Sequence, residues 1–151
     1  MKIDEVTALA VLFTNLKRRK RVNSPMKIAE SAKFLIDLYE SRHKVAEAVG
    51  IHESVIRKWA NLADAPDELK QYVETNKIYP VAAFGIISAF PNPEQQLEVA
   101  RAVIGWGEPE ITRLIRLKKR NRNFSIEECK QKVISGAQVS LMTKDVSECK
   151  Q

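Results

Sequence analysis

Apolar residues recur at steps of three and four over most of this chain, the spacing that gathers them on one face of an α-helix. Ile3, Val6, Leu9, Phe13 and Leu16 open the series. With Asp4 and Glu5 at its start and cations at its end, this segment reads as an amphipathic helix whose charges complement the macrodipole. The stretch VNSP interrupts it, because the residue before a proline is pushed out of the helical region. A second helix follows, with Ile28, Ala32, Leu35, Ile36 and Tyr39 on one face. Residues 43–62, HKVAEAVGIHESVIRKWANL, then hold two short periodic runs joined at a glycine.

Further along, DAPDELKQYVETNK has a proline at a first helical position, acids in the first turn and Lys77 after the last, which predicts another helix. YPVAAFGIISAF is almost wholly apolar, so its short helix belongs at the centre of a core. PNPEQQLEVARAVIGWG starts on a proline and a glutamate and ends on Gly105 and Gly107, which read as C-terminal stops. EPEITRLIRLKKR repeats the proline start and carries Ile111, Leu114, Ile115 and Leu117 on its apolar face. SIEECKQKVIS opens with Ser125 and Glu128 at the spacing of a capping box. The tail GAQVSLMTKDVSECKQ alternates only weakly at Val139 and Leu141 and reads as a frayed end rather than a strand. The pattern predicts an all-α fold: a compact multi-helix domain of eight or nine helices with short connections.

Composition narrows the function classes. A chain of 151 residues with 44% hydrophobic content can bury a core without disulfides or metal. No apolar run approaches the roughly 18 residues of a membrane span, and no leader is visible, so we expect a soluble cytoplasmic protein. Cys129 and Cys149 lack any zinc-site spacing and read as free thiols in a reducing compartment. We expect neither a metal site nor a cofactor. His43 and His52 lie nine apart around a turn, and no nucleophile sits beside a plausible base, which speaks against an enzyme.

The net charge is +6, and its distribution is uneven. KRRKR, residues 17–21, is five consecutive cations and includes Arg18 and Arg19. RLIRLKKRNR, residues 113–122, holds six cations in ten residues, Lys118, Lys119 and Arg120 among them. Clustered cations suit a phosphate backbone, where each neutralised phosphate releases counterions. For KRRKR a solvated helix end is an equal reading, because cations also suit the negative end of the macrodipole.

The glycine-linked pair raises one specific possibility. In a helix-turn-helix the first helix needs a small residue where the second approaches, and the turn needs a residue that tolerates positive φ. Ala46 and Gly50 meet those demands. Ile51, Val55 or Ile56, and Trp59 supply an apolar stripe, and His52, Glu53, Ser54, Arg57 and Lys58 occupy the opposite face. Such a helix enters the major groove N-terminus first. Arg57 is the foremost candidate for a base contact, since a guanidinium can bond both acceptors of guanine. Lys58 suits a phosphate, and Ser54 either a base or a phosphate. Glu53 complements the helix dipole better than it reads cytosine. His52 stands where a Ser or Thr cap is stronger, and it is either a DNA contact or an idle exposed residue.

The order of segments from SPMKIAESAKFLIDLYES through the bihelical unit, LADAPDELKQYVETNKI, NPEQQLEVARAVI and EITRLIRLKKR resembles the central DNA-binding domain of the ParB family of partition proteins. The similarity covers about residues 25 to 120, roughly two-thirds of the chain. It implies an all-helical domain that binds duplex DNA through the second helix of a helix-turn-helix, with Ser54, Arg57 and Lys58 facing bases or nearby phosphates and Lys44 as a phosphate contact. Only about 24 residues precede the similarity, so we expect no counterpart of the family's large N-terminal nucleotide-hydrolysing domain in this sequence. Gly50, Gly85, Gly105, Gly107 and Gly136 form no phosphate-cradling loop. His52 and Trp59 also depart from the commoner small polar and aliphatic residues at those places.

Together these readings divide the chain into an N-terminal helix and basic run (1–24), a ParB-like DNA-binding domain (25–122), and a C-terminal helix and tail (123–151). The expected function is sequence-specific recognition of double-stranded DNA, as a transcriptional regulator or a partition or maintenance factor associated with the nucleoid. A homodimer is expected, because one short reading helix buries little surface. The alternative is a protein-interaction adaptor that keeps the helix-turn-helix shape. DNA reading requires a basic cluster on the same side as Arg57, whereas an adaptor shows an exposed apolar patch there.

Overall fold

A computed structural model describes residues 3–17 and 21–136. Every regular element among them is an α-helix: α1 (Glu5–Leu16), α2 (Pro25–Tyr39), α3 (Arg42–Val49), α4 (Glu53–Ala63), α5 (Asp67–Glu74), α6 (Pro80–Ala89), α7 (Pro93–Ala102), α8 (Glu108–Arg120) and α9 (126–136). Arg18, Arg19, Cys149 and the tail residues Val139 and Leu141 lie outside the described residues.

Local chemistry sets most of the helix starts. Asp4 Oδ1 accepts from the Thr7 N–H at 2.7 Å, Ser41 Oγ from Lys44 at 3.2 Å and Asn92 Oδ1 from Glu94 at 2.9 Å. Each bond satisfies a backbone donor that the helix itself leaves free. Ser24 caps α2 immediately ahead of Pro25, so the interruption predicted at VNSP is also the start of the next helix. The forward bond of the predicted capping box is present, from the Glu128 N–H to Ser125 Oγ at 3.1 Å.

Two predicted boundary residues do different work. Pro66 is the N-cap of α5 rather than its first helical residue. Gly107 does not end α7, which gives way at Val103; it caps the start of α8 at φ −74°. Gly105 alone takes the left-handed conformation expected of a stop, at φ +82°.

Two helices organise the packing. α2 lies against α1, α3, α4 and α5, and α6 lies against α4, α5, α7 and α8. The α4–α6 contact therefore ties the two groups together, and a single cluster of buried side chains runs through both. That cluster takes Ala8 and Leu12 from α1 and Ile126, Cys129 and Val133 from α9, so both ends of the described chain share the core of residues 25–122. Fully burying a leucine or isoleucine contributes about 1.5–3 kcal/mol. Leu12, Ile28, Leu35, Ile56, Leu62, Leu69, Ile78, Ile86, Ile111 and Leu114 are all in that state.

The first helix corrects its own sequence pattern. Val6 and Phe13 are 78% and 56% exposed, whereas Ala8, Val11, Leu12 and Asn15 face the core. Ile3, Leu9 and Leu16 still pack against the core from its edge, and Asn15 anchors the buried face. The buried Asn15 amide donates to Val11 O and Asn23 Oδ1, both at 2.7 Å, and its carbonyl accepts from the backbone N–H groups of Val22 and Asn23 at 2.8 Å. Those bonds satisfy the turn between α1 and α2, and they hold only if Asn15 points inward.

Candidate nucleic-acid interface

The α3–α4 pair turns on Gly50, which caps α3 at φ +75° while its N–H donates to Ala46 O at 2.8 Å. A side chain there would be strained. Ala46 is buried at the approach of the two helices, and Ile56 and Trp59 carry α4 onto the core. His52, Glu53, Arg57 and Lys58 are exposed, and Ser54 is half-buried. Neither Arg57 nor Lys58 forms an ion pair with a described residue, so both cationic heads are available to an anionic partner.

His52 is the N-cap of α4. Its Nδ1 accepts from the Ser54 N–H at 3.1 Å and lies 2.8 Å from Ser54 Oγ. Accepting at Nδ1 places the ring proton of the neutral imidazole on Nε2, which therefore presents a donor at the tip of the helix. Ser54 is correspondingly drawn into the cap. Glu53 lies 3.9 Å from the Arg42 guanidinium, Oε1 to Nε, and sits in the first turn of α4, where its charge complements the dipole. Lys44 is exposed on the first turn of α3.

The two described ends of the KRRKR run both touch this pair. The Lys17 ammonium lies at the Gly50 turn, 2.8 Å from where a β-carbon on that glycine would stand, and 4.7 Å from the centre of the Phe13 ring. The Arg21 guanidinium lies 5.0 Å from the Trp59 ring, a cation–π arrangement that covers the indole. Cations from the first basic cluster thus flank the helix that carries Arg57. Arg18 and Arg19 fall between those ends, outside the described residues.

Beside α4 runs a groove of about 530 Å³, with Arg57, Lys58 and Asn61 on one wall and Val81, Phe84 and Ile87 of α6 on the other. Phe84 meets Trp59 edge to face, with ring centres 5.0 Å apart and planes at 78°. Asn61 was not among the residues singled out by sequence, although it stands four positions after Arg57 and so shares its face. Lys17 and Arg21 were visible only as members of a charge run. Nothing in spacing tells which of five cations reaches back to a helix packed beside it.

The second basic cluster does not stay together. Lys119 and Arg122 line a hollow of about 390 Å³ against Phe90, Pro91 and Gln95, at the C-terminal end of α6. Lys118 also borders it, but its ammonium donates to the carbonyls of Arg122, at 3.2 Å, and Phe124. It stitches the α8–α9 turn. Arg120 instead lines a different groove with Arg113 and Arg116. Of the three cations expected to act together, one braces backbone and two face different surfaces.

Other titratable groups are structural. Glu68 accepts from the Arg101 guanidinium, Nε to Oε1 at 2.9 Å, and from the Tyr72 hydroxyl, and these bonds lower its pKa to about 2. Lys33 pairs with Asp64, joining α2 to the end of α4. Cys129 is a buried free thiol whose pKa is raised by desolvation. Among the described residues no cluster of His, Cys, Asp and Glu is placed to hold a metal ion, and no helix is long and apolar enough to cross a membrane.

Among the described residues, the class these observations define is an all-helical, compact fold with exposed cations on α4 beside a mixed groove. No protein-family model and no curated protein matches it.

Proposed function

We propose that the α3–α4 pair is a helix-turn-helix that reads a specific duplex DNA site, within a domain resembling the DNA-binding core of ParB-family proteins. The observation that carries this reading is the convergence of Lys17 and Arg21 on the helix that exposes unpaired Arg57 and Lys58. Lys17 at the Gly50 turn and Arg21 against Trp59 bring cations from another part of the chain to that pair, and in this reading they hold the phosphates beside the bases that Arg57 reads. Arg57 takes the base contact, and Lys58, Lys44, Lys17 and Arg21 hold the backbone. Asn61 extends the reading face by one turn, and a carboxamide suits adenine. The His52 Nε2–H donates to a phosphate or a base acceptor at the mouth of the groove. The protein works at the nucleoid as a transcriptional regulator or a DNA partition or maintenance factor, and no catalytic step is assigned to it.

A second copy completes the site. Val6, Ala10 and Phe13 form an exposed face on α1, and Lys17 continues it. Two such helices packed antiparallel bury that face across the small Ala10 and oppose their dipoles. They also bring the acidic start of each helix toward the basic end of the other and keep the two Lys17 residues about 21 Å apart along the axis, whereas parallel pairing would place them side by side.

The apolar wall of the groove, Val81, Phe84 and Ile87, supports the rival reading of an adaptor that docks a protein segment there. Selection from random duplex DNA separates the two. The DNA reading predicts enrichment of one motif whose binding weakens with salt at a slope of about −0.9 per phosphate contact. An adaptor enriches none.

A further inference from the structure

The groove between α8 and α9 has a volume of about 420 Å³ and is lined by Arg113, Arg116 and Arg120 of α8 and by Lys132 of α9. All four cations are exposed, no carboxylate lines the groove, and none of the four forms an ion pair with a described residue. The Lys132 ammonium lies 4.7 Å from the centre of the Phe124 ring, a cation–π contact that fixes where its charge stands. The remaining lining is apolar. At about 100° per residue, Leu117 falls on α8 between the arginine stripe and the buried Leu114, which puts it at the foot of the arginine wall. It is half-buried, so part of its side chain stays open to the groove, and the buried Val133 of α9 adjoins it as part of the lining. The groove is thus an apolar strip edged on both helices by cations.

We infer that this groove docks an acidic amphipathic helix of a partner protein. It requires nothing of α4, whose groove shares no lining residue with it. Charge complementarity sets the sign of the partner, because four cations without a carboxylate between them repel one another until an anion enters. Three of them are guanidiniums, whose paired N–H groups match a carboxylate bidentately. Their spacing sets the partner's shape. Arg113, Arg116 and Arg120 rise along α8 by about 4.5 and 6 Å, and a helix lying alongside repeats those steps with acids three and four residues apart. The apolar strip decides between a protein and a nucleic acid. A phosphate backbone offers nothing to Leu117, and no aromatic side chain lines the groove to stack the bases of a single strand. An amphipathic helix sets its apolar stripe on Leu117 and its acids on the cations at either edge.

The test titrates the full-length protein with two short synthetic helices and a mixed-sequence DNA duplex. One helix carries glutamates at three- and four-residue steps beside a leucine stripe, and the other has each leucine replaced by alanine. Binding is followed through the methyl resonances of Leu117 and Val133. The glutamate–leucine helix shifts both resonances and binds several-fold more tightly than its alanine counterpart. The combined variant Arg113→Glu, Arg116→Glu, Arg120→Glu weakens that binding about tenfold or more, whereas lysine at the same three positions preserves most of it. Leu117→Ala weakens the glutamate–leucine helix about threefold and leaves the alanine helix unchanged. Arg57→Ala changes neither, and circular dichroism of each variant checks that the helices are intact. A duplex that moves the same two methyl resonances with the same dependence on the three arginines would make this a nucleic-acid surface and overturn the inference. So would equal binding of the leucine and alanine helices, undiminished binding by the glutamate variant, or no shift with either helix.

Discussion

At the scale of the residue, the side chains proposed to read DNA are set by what they are not bonded to. Arg57 and Lys58 have no acidic partner among the described residues, whereas Lys118, equally prominent in the sequence, is committed to two carbonyls. Charge is legible in a sequence but its engagement is not, because a lysine's four-carbon stem reaches whatever the fold places nearby. His52 shows the same limit in a subtler form. It was expected to be either a DNA contact or an idle residue beside a weak cap, and the structure makes its Nδ1 the acceptor for the Ser54 N–H. We expect His52→Ser to retain or improve the cap, changing stability by less than about 1 kcal/mol, while the loss of the Nε2–H weakens DNA binding. Thermal unfolding and a binding titration check the two halves separately. A variant that binds DNA as wild type does, with stability unchanged, would return His52 to a purely capping role.

Among the elements, periodicity located the helices well and their faces less well. α4 was read correctly, with Ile56 and Trp59 inward and Arg57 and Lys58 outward, because its polar and apolar stripes do not mix. α1 was read only in part: Ile3, Leu9 and Leu16 pack against the core as expected, but Ala8, Val11, Leu12 and Asn15 are the buried residues and Val6 and Phe13 are exposed. Apolar spacing reports that a face exists, but a buried hydrogen-bonded asparagine can choose another one. Between α5 and α7, the Glu68–Arg101 pair carries a pH signature that no pattern announced. Glu68 has its pKa lowered from 4.5 to about 2 by the bonds from Arg101 and Tyr72. Its contribution is therefore complete above the unfolded value, and it is lost as pH falls from about 4.5 toward about 2. Urea unfolding of wild type and Glu68→Gln should show a wild-type advantage near neutrality that shrinks through that window. A difference that does not vary with pH would contradict this account.

For the whole molecule, the two basic clusters acquire distinct roles only once the helices are packed. Lys17 and Arg21 of the first reach the α3–α4 pair, and the second divides between a hollow at the end of α6 and a groove between α8 and α9. The exposed face of α1 belongs to the same scale. Val6→Glu with Phe13→Glu should leave the fold intact, because both side chains are exposed, and should shift sedimentation velocity profiles from dimer to a 17.2 kDa monomer. A monomeric wild type at high concentration, with and without DNA, would remove the dimer. The central claim, that α4 reads bases, is tested most directly by comparing Arg57→Ala with Lys58→Ala on the selected site and on single-base variants of it. We predict that Arg57→Ala flattens discrimination at one base pair by about 1–3 kcal/mol with the salt slope retained, while Lys58→Ala lowers affinity for all sequences alike and reduces that slope by about 1. Equal and sequence-independent losses in both variants, or none in either, would contradict it.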